Sequence, residues 1–243
     1  MISLKVIARL LDYPDAELWE NRQALLAALD GAMELSLRDS HRLMRFIEHF
    51  WRADLLDRQE EYGALFDRGR ATSLLLFEHV YGESRDRGQA MVDLLAQYRK
   101  SGLDLDCKEL PDYLPLYLEY LSQLDDARGR AGLLDIAPIL ALLRARLQQR
   151  DSRYGELLDL LLSLSGDEPA DDNVRRRVRD EARDDTPQAL DAVWEEEQVK
   201  FLGEQGCASA QQTAHRRRFA NAVAPQYLHL DEQTAGGKND ELH

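Results

Sequence analysis

Apolar residues recur along the chain at helical spacing. Leu43, Phe46, Ile47 and Phe50 follow an i, i+3, i+4, i+7 order, and so do Met91, Leu94, Leu95 and Tyr98, and Tyr154, Leu157, Leu158 and Leu161. Each set lays one apolar stripe on one helix face. No alternating run of strand length competes with them. The pattern predicts helices near 2–11, 15–30, 37–50, 52–66, 72–80, 85–101, 112–124, 133–149 and 152–165. The punctuation agrees. Pro14 precedes a leucine-rich segment reaching Asp30, and Ser84 reads as the N-cap of a helix ending near Gly102. Pro111 reads as a first-turn proline, with Pro115 in the opening turn or just past it. Gly129 and Gly132 read as separators, and Pro138 should bend the next helix or mark its true start.

Residue usage sharpens this reading. There are 43 Leu against 8 Val, 5 Ile and 4 Thr, an imbalance that favours helices over strands. The 243 residues suffice for one large core. The expectation is an all-α protein, a single bundle of about nine or more helices with a flexible acidic C-terminal region. Residues 1–165 form its core. Residues 166–202 form an acidic helical extension, with helices near 172–182 and 187–197, and hold 12 acidic against 6 basic residues. Residues 203–243 have few apolar anchors and are expected to be a mobile tail. The basic cluster His215–Arg218 reads as a solvated charge run within it.

The net charge of −14 disfavours nucleic acid as a partner, because phosphate contacts need a basic surface. It also disfavours adsorption to anionic lipid. No apolar run approaches the ~20 residues of a bilayer span, and no signal-peptide core is evident, so stable membrane insertion is not expected. Cys107 and Cys207 lie 100 positions apart with no CxxC, which supports neither a disulfide framework nor a structural zinc site. The expectation is a reduced, cytoplasmic protein.

A search for catalytic chemistry finds little. No phosphate loop, dinucleotide fingerprint, GxSxG or HExxH motif is present. The six His are scattered at 41, 49, 79, 215, 229 and 243, and read as hydrogen-bonding or surface residues. Cys107 has one adjacent Lys and no evident base. Trp19 and Trp51 lie among helix-periodic apolar residues and read as core. No catalytic residue, metal site or cofactor is assigned.

Two segments are denser in information. Glu61 to Glu83 (EYGALFDRGRATSLLLFEHVYGE) places Tyr62, Leu65 and Phe66 on one turn, followed by a polar break at Asp67–Arg70. Glu109 to Leu121 (ELPDYLPLYLEYL) places Asp112 and Glu119 among Tyr113, Tyr117 and Tyr120. Tyrosine faces beside carboxylates suit a groove for a basic amphipathic helix. The competing reading makes these tyrosines half-buried core residues.

At these segments the chain resembles the nitrate reductase molybdenum cofactor assembly chaperones, the nitrate reductase delta subunit family. The strings that carry the resemblance are Leu65–Arg70, Ser73–Val80, Gly82–Met91, Pro111–Glu119 and the opening Leu10–Pro14, spanning roughly residues 4–165. A downstream Trp-x-Glu-Glu-Pro-Val-x-Phe pattern is similar to Trp194, Glu196, Glu197, Val199 and Phe201, with Gln198 in place of Pro. The resemblance implies a cytoplasmic, non-enzymatic private chaperone. It would bind the catalytic (alpha) subunit of respiratory nitrate reductase through that subunit's N-terminal segment. It would keep the client competent for cofactor insertion before membrane docking. On this reading Glu61, Tyr62, Phe66, Asp112, Tyr113, Leu116, Tyr117 and Glu119 form the peptide groove, with Asp112 and Glu119 facing cationic client residues. Arg85, Asp86 and Arg87 are either a further client contact or a helix-start charge cluster. The alternative is a general helical adaptor or regulatory module with another client.

Overall fold

The computed structural model describes residues 1–82, 84–105, 109–166, 171–192 and 194–195. In chain order the helices are α1 (Ile2–Leu11), α2 (Ala16–Glu20), α3 (Arg22–Leu29), α4 (Leu37–Phe50), α5 (Leu55–Tyr62) and α6 (Glu78–Tyr81). They continue as α7 (Asp86–Lys100), α8 (Leu114–Gln123), α9 (Asp126–Asp135), α10 (Ala137–Gln149), α11 (Gly155–Ser165) and α12 (Asp171–Asp180). A π turn, Gly63–Asp67, extends α5. Residues 187–192 are also helical. Among the described residues there is no strand, only an isolated antiparallel bridge from Leu75 to Tyr113.

Helix starts follow local chemistry. Asp15, Ser36, Asp54 and Asp125 each accept a hydrogen bond from a backbone N–H three residues on, filling donors that the first turn leaves open. Pro115 and Pro138 sit in the first turns of α8 and α10, where a missing N–H costs nothing. Pro138 therefore marks a helix start and bends nothing.

Helix α11 is the hub. Leu157, Leu158, Leu160 and Leu161 have no exposed surface. The helix packs against α1, α4, α9 and α10, while α1 packs on α8. An aromatic cluster fills one end. Tyr154 meets Phe66 at 5.1 Å and Phe46 at 5.8 Å between ring centroids, and half-buried Trp19 stacks on Trp51 at 5.5 Å.

Three predicted elements differ. The helix expected over 15–30 breaks at Asn21. The helix expected over 72–80 is a bridge followed by the short α6. Leu76 N–H donates to Asp112 O (2.9 Å) and Leu114 N–H to Leu74 O (2.8 Å), so this apolar run spends its backbone groups on residues 112–114 rather than on itself. Gly129 and Gly132 lie inside α9 rather than between helices. There α8 crosses so closely that any side chain at 132 would strike Leu121.

Residues Met1–Ala192 form one compact unit. Of the second, Val193–His243, the described residues are Trp194 and Glu195. The readings placed on Cys107, Cys207, Glu196–Phe201, His215–Arg218 and the tail 203–243 lie outside the described residues.

Candidate client groove

Helix α8 turns Leu114, Tyr117, Leu118 and Leu121 inward. This leaves Leu116, Glu119 and Tyr120 on its outer side, where two apolar depressions flank it. One, of about 260 Å³, lies toward α1 and α3, floored by Val6, Ala8, Leu25 and Ala28 and rimmed by Lys5, Arg9, Asp12 and Glu119. The other, of about 340 Å³, lies toward the end of α7, lined by Tyr98, Leu103, Leu105, Leu116 and Tyr120 with Asp104 and Glu119 at its rim. Exposed Glu119 lines both.

The second depression owes its shape to the end of α7. Gly102 takes φ +80°, a left-handed value that glycine adopts without strain, and Leu103 N–H returns to Tyr98 O (3.0 Å). That turn folds Leu103 back over Tyr98. The Tyr98 hydroxyl donates to Pro111 O at 2.7 Å, and its ring lies 4.7 Å from that of Tyr120.

The two depressions differ in charge. Cations line the first, and Arg9 there pairs with Asp12 (3.2 Å) and with Asp15. Among the described residues, the second has two rim carboxylates and no lining cation. Among the described residues Arg99 pairs with Asp104 at 3.8 Å, so exposed that the pair contributes little. The second depression therefore favours cationic groups above an aromatic floor.

The expected groove residues fall into separate places. Leu116 and Glu119 stand at the depressions. Tyr62, Phe66 and Tyr113 come together beneath α1. The Tyr62 hydroxyl donates to Leu11 O (3.1 Å) and contacts the Tyr113 hydroxyl (2.9 Å), which in turn donates to Asp12 Oδ1 (3.1 Å). Burial pushes both hydroxyls above the ordinary tyrosine range. Tyr117 is buried, its hydroxyl donating to Gly132 O (3.3 Å). Glu61 is tied to Arg58 by an ion pair. Asp112 has no exposed surface. Its Oδ2 accepts from Phe77 N–H (3.0 Å) and lies 3.9 Å from Arg87, so this carboxylate serves the fold and does not reach the surface. Burial raises its pKa against the lowering effect of Phe77 N–H and Arg87. Arg87 also faces Glu78 at 3.4 Å, which makes it part of the same inward network.

Sequence reasoning missed the contributions of α1, α3 and residues 103–105. Val6, Ala8, Leu25 and Ala28 look like any core residues, and only the packing of α1 on α8 shows that they border an opening. Among the described residues no group of three His, Cys, Asp or Glu is arranged to hold a metal ion. Nor is any described helix long and apolar enough to cross a membrane.

The model of the nitrate reductase delta subunit family matches residues 15–158, more than half of the chain. The chain belongs to that family. Relatives of the nitrate reductase delta subunit family extend the match. The chain is 60% identical over 239 residues to the nitrate reductase molybdenum cofactor assembly chaperone NarJ of Escherichia coli K12, covering 98% of this chain and all of that protein. It is 55% identical over 237 residues to the "Probable nitrate reductase molybdenum cofactor assembly chaperone NarW" of the same strain, covering 97% and 99%. A Bacillus subtilis relative with the corresponding NarJ name is 31% identical over 67% of this chain and 87% of its own length.

Proposed function

We propose that this protein is a non-catalytic assembly chaperone for a respiratory nitrate reductase. Its client is the enzyme's catalytic subunit, whose N-terminal segment it binds in the cytoplasm before the molybdenum cofactor is inserted and the enzyme docks at the membrane. Family membership supports the chaperone role. The observation that carries the peptide-binding reading is Glu119, an exposed carboxylate shared by two apolar depressions on α8.

The segment lies with its apolar face over Tyr120, Leu116 and Leu105, and its cations meet Glu119 and Asp104. A few seated side chains supply most of the affinity, and the carboxylates supply orientation and encounter rate. The buried residues Tyr62, Phe66, Asp112 and Tyr117, with half-buried Tyr113, hold the walls in place.

Calorimetric titration with a peptide from the N-terminus of a nitrate reductase catalytic subunit tests this, at two salt concentrations, against a scrambled peptide of equal charge. Saturable binding of the true peptide alone is expected, weaker at high salt. Equal binding of both peptides would reduce the site to charge attraction. Binding of neither would leave the chain a helical adaptor for another client.

A further inference from the structure

Two arginines one turn apart, Arg146 on α10 and Arg150 capping its C-terminus, point away from solvent, toward the segment that follows α12. The Arg146 side chain is 13% exposed and that of Arg150 3%. Arg146 donates through Nε and Nη2 to both carboxylate oxygens of Glu181 (2.8 and 3.0 Å), and through Nη1 to Ala71 O (2.9 Å). Arg150 donates to Asp184 Oδ1 (2.9 Å), and its Nε lies 3.4 Å from Asp185 Oδ2. The other Asp184 oxygen accepts from Ala71 N–H at 2.7 Å. Glycine at 69 makes the room, since a Cβ there would stand 2.7 Å from the Asp184 carboxyl group. One carboxylate is thus held between a guanidinium and a main-chain N–H, and a second by a bidentate fork.

The cradle is built from the core: α10 and its C-cap supply the arginines, and the loop after the π turn supplies the amide. Its occupant is held differently. Of the described side chains on α12 only Val178 is buried, and Gln149 donates to Val178 O (3.1 Å). The rest of the attachment is ion pairs and the Ala71 amide, and the carboxylates on the plug side stay 10–33% exposed, open to competing anions.

We propose that Gly69–Ala71, Arg146 and Arg150 form a docking site for an acidic peptide segment of a partner protein, and that residues 181–185 fill it as a displaceable plug. The plug shows what the site reads: two carboxylates three positions apart, here Glu181 and Asp184, with Asp185 bonded by Arg183 inside the plug and only near Arg150. A tethered plug acts at an effective concentration of the order of millimolar, so a partner segment gains the site only when it is itself held nearby by other contacts. The site is thereby coupled to a partner already docked elsewhere, and isolated acidic chains are rejected. This inference does not depend on the groove at α8.

The test uses the full chain and a fluorescent peptide of residues 180–186 (DEARDDT), read by anisotropy. Against the plug-neutralised variant E181Q/D184N/D185N the peptide should bind saturably, about tenfold or more tighter than against the unaltered protein. Adding R146Q/R150Q to that background should abolish binding. Equal affinity for plugged and neutralised protein, or equal binding of a peptide with the same residues in shuffled order, would overturn the proposal. If the triple variant does not fold, amide exchange at Ala71 in the unaltered protein decides. Exchange faster than that of the α11 amides shows that the plug opens on its own, and exchange in step with α11 shows a permanent tie and ends the proposal.

Discussion

Tyr62 and Tyr113, 51 positions apart, bring their hydroxyls to 2.9 Å with only one proton each to share. Three acceptors compete for those two protons: Leu11 O, Asp12 Oδ1 and the neighbouring hydroxyl. Tyr62 satisfies the end of α1, and Tyr113 reaches the residue just past it. The pair therefore ties α5 and the start of α8 to the same helix end. Tyr62→Phe and Tyr113→Phe should each cost about 1 kcal/mol in urea unfolding. The double variant should cost less than their sum, because each hydroxyl is the other's partner. Strict additivity would mean that the contact is incidental.

Removing the buried carboxylate at 112 should cost more. Asp112→Ala leaves Phe77 N–H without its acceptor and Arg87 without the carboxylate 3.9 Å away, for about 2–3 kcal/mol. Asp112→Asn keeps an acceptor for Phe77 and should lose roughly half of that. Equal losses in the two variants would place the effect in the charge rather than the hydrogen bond.

The crossing of α8 and α9 predicts that Gly132→Ala destabilises, although alanine is the better helix former. The added methyl strikes Leu121, an overpacking that costs about 1–3 kcal/mol. Gly88→Ala, where no heavy atom lies within 4 Å of a Cβ, should stabilise α7 slightly instead. Thermal melts of the two variants, run side by side, distinguish packing from propensity.

At the groove, Glu119→Lys should weaken client-peptide binding at least tenfold and flatten its salt dependence, with the melting temperature little changed because the side chain is exposed. Glu119→Gln should lose less. Ala28→Trp, which fills the depression beside α3, and Leu105→Arg, which blocks the one beside α7, show by calorimetry which depression seats the peptide. If neither substitution changes affinity, the client lies elsewhere.

Acid should release the plug. The Arg146 fork holds Glu181 below its ordinary range, and Arg183 within the plug, aided by Arg150, holds Asp185 at about 2. Both carboxylates bind protons less readily when folded than when unfolded. Their contribution is therefore complete above their unfolded values, 4.5 for Glu and 3.8 for Asp, and is lost as pH falls through the folded ones. Arg177 and Asp184 also face the site, and Arg177 lies 3.8 Å from Glu181. Ala71 amide exchange, normalised for intrinsic acid rates, should accelerate between pH 4 and 2 before the α11 amides respond.

What the sequence made legible was the set of strong stripes. Leu43, Phe46, Ile47 and Phe50 are all buried on α4, and the leucines of α11 form the hub. Less legible was anything that depends on a distant partner. Leu74–Phe77 reads as helix until its amides are seen to pair with residues 112–114. Gly129 and Gly132 read as breaks until α8 is seen crossing them. Asp112 reads as a surface carboxylate because nothing local announces Phe77 N–H. Glu181, Asp184 and Asp185 read only as part of an acidic helical extension, because the two arginines beside them lie some 35 positions earlier. Of the two depressions beside α8, the sequence made legible Leu116 and Glu119. Its other walls come from α1, α3 and residues 103–105, which carry no distinguishing composition.

The bond from Ala71 to Asp184 closes over 113 positions. Synthesis delivers the chain from its N-terminus, so the loop at 69–73 and both arginines emerge well before their carboxylates. Until Asp184 has cleared the ribosome, the middle of the molecule stays unlatched while its hub is already able to pack. The latch is thus a late checkpoint on a growing chain. A product cut short before residue 181 would carry α1–α12 with an open, cationic notch, and would lack the helical residues 187–192 as well.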